Sequence, residues 1–250
     1  MSYIRKNIVS ILLFILWVGM AASVTTAHAD VQGGGAARKD YSIVLEFTTH
    51  LEADLPAMDV FIERERGTGY VYRPTTRDSP DAMLFRAAAP VARGSFELQR
   101  IGPHPKGDAF NMTLGEWAGH SGSGTYRCRD GEGTVSAEFS GLVPSGVYTM
   151  WHTFTSALAT RPFSGYLDLP LGARDGSTSV FVADMRGEAS FERTFAPCLQ
   201  MSDGWLTAML AVNFHSDNRT HAGLPGDFGL NVHTPLFLVL PQRTSLPASD

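Results

Sequence analysis

The sequence predicts an all-β protein: an antiparallel β-sandwich of Greek-key or immunoglobulin-like type, with one or two short helices. Three observations predict it. Apolar and polar residues alternate over short runs such as YSIVLEFTT (41–49) and TVSAEF (134–139), the period-two pattern of a half-buried strand. Such runs recur at steady spacing and are punctuated by glycine and proline, of which the chain has 25 and 14. No strand–helix–strand alternation accompanies them, which disfavours a parallel α/β sheet.

At the amino terminus, Arg5 and Lys6 precede an apolar run from Ile8 to Val24. Ala27-His28-Ala29 then supplies the small-x-small pattern of a signal peptidase site. Together these predict a secretory signal peptide over residues 1–29, cleaved after Ala29, and a secreted or periplasmic destination. The run falls short of the about 20 residues that a comfortable membrane span needs, and no later apolar stretch reaches that length, so no stable membrane insertion is expected after cleavage. Removing 29 of the 250 residues leaves 221, and losing Arg5 and Lys6 moves the formal charge from −5 to −7. An acidic chain repels phosphate backbones, so nucleic acid is excluded as an expected partner.

Residues 30–40, DVQGGGAARKD, read as a flexible leader. The strand YSIVLEFTT follows, with Tyr41, Ile43, Leu45 and Phe47 on one face. Residues 56–66 fit two patterns. Met58, Phe61 and Ile62 form a helical stripe, Met58, Val60 and Ile62 a strand face; with Pro56 placed for a first helical turn, the helix is preferred. GYVYRP (69–74), AMLFRAAAP (82–90) and GSFELQRI (94–101) read as short strands. GPHPKGD (102–108) reads as a loop held open by Pro103 and Pro105. That loop either separates an N-terminal β-rich unit (41–101) from a C-terminal sandwich (109–241) or lies inside one domain.

From Gly122 onward three strands are separated by Asp-Gly and Pro-Ser-Gly turns. VYTMWHTF (147–154) has few polar positions on either face and predicts a central strand covered on both sides. STSVFVADM (177–185) and EASFERTF (188–195) read as a hairpin turning at Arg186-Gly187. MSDGWLTAML (201–210) reads as one or two helical turns capped by Ser202 or Asp203. AVNFH (211–215) and HTPLFLVLP (233–241) supply the last strands, and residues 242–250 form a frayed tail. The two cysteines, Cys128 and Cys198, sit in no Cys-x-x-Cys motif; in an oxidising compartment they predict a disulfide.

The best lead to chemistry is HSDNRTHAG (215–223). Neutral imidazoles bind Zn2+ and Cu2+, and a carboxylate can complete the shell. His215, Asp217 and His221 surround one tight connection, and His233 opens the next strand, so a site of His215, His221, His233 and Asp217 is the candidate metal cluster. Its His-x5-His-x11-His spacing matches no standard metal motif. In the alternative reading, Asp217 and Asn218 bond their own backbone in a turn and the histidines cover the end of the sheet.

Other motifs are weaker. GHSGSG (119–124) lacks the fifth-position glycine of a nucleophile elbow and reads as a Gly/Ser linker. Glu116 beside Trp117 is a glycosidase-type carboxylate next to a sugar-stacking ring, or an ordinary packing pair. The acidic loops DGEG (130–133) and LPGDFG (224–229) lack EF-hand spacing and read as turns. There is neither the His-x-His pair of a copper dismutase nor a Cys followed closely by His and Met, as in blue-copper sites. Two functions remain. One is a non-catalytic module of the cell envelope or extracellular space that binds a protein or small molecule. The other is a Zn2+ or Cu2+ protein or metalloenzyme built on the histidine cluster.

Overall fold

Residues two apart along a strand share a face, and their burial sorts this chain into facing layers. In a computed structural model of the protein, residues 40–91, 101–156, 166–201 and 206–242 are described. The signal peptide, most of the strand expected at 94–101, and the tail from 243 lie outside the described residues. The elements are β1 (Tyr41–Phe47), β2 (Phe61–Ile62), β3 (Tyr70–Val71), β4 (Met83–Ala87), β5 (His104–Thr113), α1 (Leu114–Ala118), β6 (Ser121–Arg129), β7 (Glu132–Ser140), β8 (Val147–Ser156), β9 (Tyr166–Pro170), β10 (Val180–Val182), β11 (Ala189–Phe195), β12 (Leu206–His215) and β13 (Val232–Val239). The protein is an all-β antiparallel sandwich, with one short helix among the described residues.

One sheet runs β1-β6-β7-β11 and the other β10-β8-β12-β13, with β9 also paired to β8. Leu45, Phe47, Tyr126, Val135, Ala137, Phe139 and Phe191 from the first meet Tyr148, Met150, Phe154, Phe181, Leu210, Val212, Phe214 and Leu236 from the second in one core. Ile62 and Leu84 of the small sheet β2-β4-β5-β3, with Val60 just before it, join that core, while Phe61, Val71 and Ala87 form a satellite cluster. The chain crosses between the two large sheets directly after β1: Thr48 exchanges both backbone hydrogen bonds with Phe237 of β13, at 2.9 and 3.0 Å.

The disulfide joins Cys128 to Cys198 (S–S 2.03 Å). Beside it, the Leu199 amide donates to Tyr126 Oη at 2.7 Å, and the Cys198 amide donates to the Gly131 carbonyl at 3.1 Å. Replacing Tyr126 by Phe deletes the acceptor and leaves the buried Leu199 N–H unpaired. Urea unfolding is expected to show a loss of about 1–3 kcal/mol with an unchanged m-value.

Several elements differ from the sequence reading, each for a long-range reason. Residues 56–66 contain strand, not helix: Asp59 adopts φ 66°, and Ile62 exchanges backbone hydrogen bonds with Tyr72. The expected loop at 102–108 runs into β5, because Pro105 needs no donor there; its carbonyl accepts from Ala88 at 2.9 Å. The 119–124 segment is strand from Ser121, with Gly122 and Gly124 facing inward. A Cβ at Gly122 would lie 2.4 Å from the Phe139 ring, and one at Gly124 2.1 Å from the Ser136 carbonyl. β10 and β11 form no hairpin: β10 pairs with β8 and β11 with β7, so the turn at Gly187 carries the chain from one sheet to the other. In the expected 201–210 helix, residues 202–205 lie outside the described residues and Leu206 already begins β12.

The helix that does form had a local signal. Thr113 caps α1, accepting from the Glu116 amide, while the Glu116 carboxylate accepts from the Thr113 amide at 2.7 Å. Thr-Leu-Gly-Glu is thus a capping box.

Candidate metal centre

β12 lies between β8 and β13 and positions the site. Its even-numbered residues Ala208, Leu210, Val212 and Phe214 point into the sandwich core. Asn213 and His215 therefore point to the opposite side of the sheet, as do Thr149 and Trp151 of β8, paired across at Asn213 and Ala211. This second face is also buried. Thr149, Trp151, Asn213 and His215 are each at most 3% exposed. Segment 216–231 folds back over the end of β12: the Ser216 amide donates to the Asn231 carbonyl, and the 222–223 backbone packs against residues 174–176.

β12 ends at His215, and a tight turn follows. The Asn218 amide donates to the His215 carbonyl at 3.0 Å, and Asn218 takes the left-handed φ of 55°. One carboxylate oxygen of Asp217, Oδ1, accepts the Arg219 amide at 3.1 Å. The other, Oδ2, lies 3.4 Å from His221 Nε2. The His221 ring faces that of His215 with centroids 5.7 Å apart. The turn reading and the metal reading therefore describe the same loop: Asp217 serves the turn with one oxygen and faces the histidine with the other.

His215, Asp217 and His221 each offer a ligand atom, and these three atoms lie within 4.8 Å of one another. A tetrahedral shell with bonds of about 2.0–2.1 Å spaces its donors about 3.4 Å apart. Ligation would therefore require the separations in this group to shorten toward that spacing. His221 and Asp217 keep 27% and 26% of their side-chain surface exposed, although the His221 Nε2 atom itself is buried. Burial first, then the neighbouring His221, pushes the His215 pKa down to about 4 against the opposing pull of Asp217, so the ring is neutral at pH 7, the form that ligates. His215 Nε2 is engaged by Thr149 Oγ1 at 2.7 Å, whereas His215 Nδ1 is buried with no hydrogen-bond partner.

The structure does not bring His233 to this group. In the β12–β13 ladder it pairs with Phe214, and it is Val232 that pairs with His215. Adjacent pairs face opposite sides of a sheet, so the one-residue offset sends the His233 ring to the other face. Both its nitrogens are also engaged: Nδ1 with the Asp59 carbonyl at 2.5 Å and Nε2 with Ser216 Oγ at 2.9 Å.

The weaker candidates are placed elsewhere. Ser121 and Ser123 face outward from β6 into a hollow of about 400 Å³, shared with Glu138 and Glu188 and lined by no histidine. The Glu116 carboxylate is occupied by the α1 cap. The Thr113 amide and hydroxyl that donate to it hold its pKa below the usual carboxylate range, so it is not a proton donor at neutral pH. Trp117 is buried in the core. DGEG is the β6–β7 turn, with Asp130 and Gly131 at φ 50° and 86°.

Sequence reasoning missed Thr149. Nothing local marks it, since the β8 sequence carries further hydroxyls at Tyr148, Thr153, Thr155 and Ser156; only the β8–β12 pairing brings Thr149 rather than these to His215. No model of a known protein family matches the chain, and no curated protein matches it.

Proposed function

We propose that this protein is an exported β-sandwich that acts as a binding module rather than a catalyst, and that it binds one Zn2+ or Cu2+ ion through His215, Asp217 and His221. The observation that carries the metal reading is the buried His215 Nδ1, a polar atom with no hydrogen-bond partner, on a residue that groups with Asp217 and His221. Burying such an atom unpaired costs about 1–3 kcal/mol, and a metal bond removes that cost. Two imidazoles and a carboxylate suit Zn2+ and Cu2+, with Cu2+ the tighter by intrinsic affinity. Three protein ligands leave a fourth position for water or for a group of the partner, a protein or small molecule.

Export is supported by the leader and by the disulfide, a bond that persists in oxidising compartments. No helix among the described residues is long and apolar enough to cross a membrane. The acidic charge argues against nucleic acid as partner.

The test is titration calorimetry of the purified chain with Zn2+ and Cu2+ after chelator treatment. The expected result is one ion bound per chain, with affinity at least about 100-fold weaker in a His215→Ala/His221→Ala variant. His233→Ala, which removes a residue outside the cluster, is expected to leave stoichiometry unchanged. Heats no larger than dilution for both ions would remove the metal reading and leave only the turn.

A further inference from the structure

Resting on that metal reading, we infer that Thr149 is the positioning residue of the site: its hydroxyl holds His215 by Nε2 and thereby directs Nδ1, not Nε2, to the ion. Thr149 Oγ1 lies 2.7 Å from His215 Nε2 and also accepts the Trp151 indole N–H at 2.7 Å. All three side chains are buried, so water does not compete for these bonds. A ligating histidine donates its other ring N–H to an oxygen, which fixes its tautomer and orientation. Thr149 Oγ1 is the oxygen placed to do this for His215.

The geometry has a chemical consequence. A neutral imidazole carries one proton on one nitrogen. Coordination through Nδ1 requires that nitrogen to be bare, so the proton sits on Nε2 and is donated to Thr149. The hydroxyl is then an acceptor from two donors, His215 and Trp151. Ion binding therefore fixes the relay Trp151–Thr149–His215 in one direction, and the indole N–H, two residues along β8 from Thr149, senses an ion that it does not touch. No ring proton is gained or lost in this step; only its position on the imidazole is set.

Two measurements test the inference on the full mature chain. In the first, nitrogen NMR of the wild type with one equivalent of Zn2+ reads the His215 tautomer and the Trp151 indole N–H. The expected result is a metal-bound Nδ1, a protonated Nε2 and a shifted indole resonance. In the second, Zn2+ affinity is compared among wild type, Thr149→Val and Thr149→Ser. The expected loss in the valine variant is about 10- to 100-fold, recovered in the serine variant, which keeps the hydroxyl. A metal-bound His215 Nε2, or a folded valine variant that binds Zn2+ as tightly as wild type, would overturn the inference while leaving the metal reading intact. Should the valine variant fail to fold, the wild-type spectrum alone decides. Wild type that binds no Zn2+ at all removes both readings together.

Discussion

Acidification from pH 7 to pH 4.5 is expected to unfold this protein in a steep transition, with uptake of at least about three protons. Three histidines away from the candidate metal ligands carry most of the effect, and His215, which burial also pushes down to about 4, adds to it in the metal-free protein. His120 and His152 are pushed down to about 4 and His233 to about 3, in each case chiefly by burial. Each keeps a hydrogen bond to a backbone carbonyl: His120 to Trp117, His152 to Gln200 and His233 to Asp59. Those bonds favour the charged ring but do not outweigh the loss of water around it.

In the unfolded chain the same rings titrate near 6.5. Between that value and the folded pKa the unfolded state binds more protons, so stability is full above about pH 6.5 and falls as the pH drops through this window. The loss stops growing below the folded pKa values. Well inside the window each ring contributes about 1.4 kcal/mol per pH unit, which removes roughly 5 kcal/mol by pH 5 and about 8 kcal/mol by pH 4.5. Domains are stable by about 5–15 kcal/mol, so losses of this size are decisive. Circular dichroism across the titration checks the midpoint. His152→Leu is expected to lower the proton uptake by about one, whatever it does to stability at pH 7. A stability that stays flat between pH 7 and 4.5 would refute the assignment.

The second large effect comes from the disulfide. Replacing Cys128 and Cys198 together by Ala is expected to cost about 4 kcal/mol, because the bond spans 70 residues and its removal frees that much of the unfolded chain. The native ends should remain in place without it. The Leu199 and Cys198 amides still donate to Tyr126 Oη and the Gly131 carbonyl, so the cost lies mainly in the unfolded ensemble. Guanidinium unfolding of the double variant, and of wild type with and without reductant, measures it. Equal midpoints in all of these samples would show that the bond contributes nothing to stability.

Much of the fold was legible where the controlling interactions are local. Tyr41 to Phe47 and Thr134 to Phe139 alternate, and each became a strand with the predicted face buried. VYTMWHTF lacks a polar face, and β8 is covered on both sides, with Trp151 and Met150 both fully buried. The errors fell where distant backbone decided. Residues 206–210 carry apolar positions that suit helix or strand, and pairing with β8 and β13 selected the strand. Gly122 and Gly124 resemble a linker until Phe139 and Ala137 occupy the space beside them.

By itself, then, the sequence determined the β class, the cysteine pair and the nine-residue stretch holding His215, Asp217 and His221, since alternation, turn chemistry and short loops act over a few residues. Only the tertiary structure decided which face each strand turns to its neighbours. A one-residue offset between β12 and β13 took His233 out of the histidine group, and the pairing of β8 with β12 brought Thr149 to His215. The physical reason is that strand register is set by pairing between segments far apart in the chain, and a shift of one residue reverses every side chain.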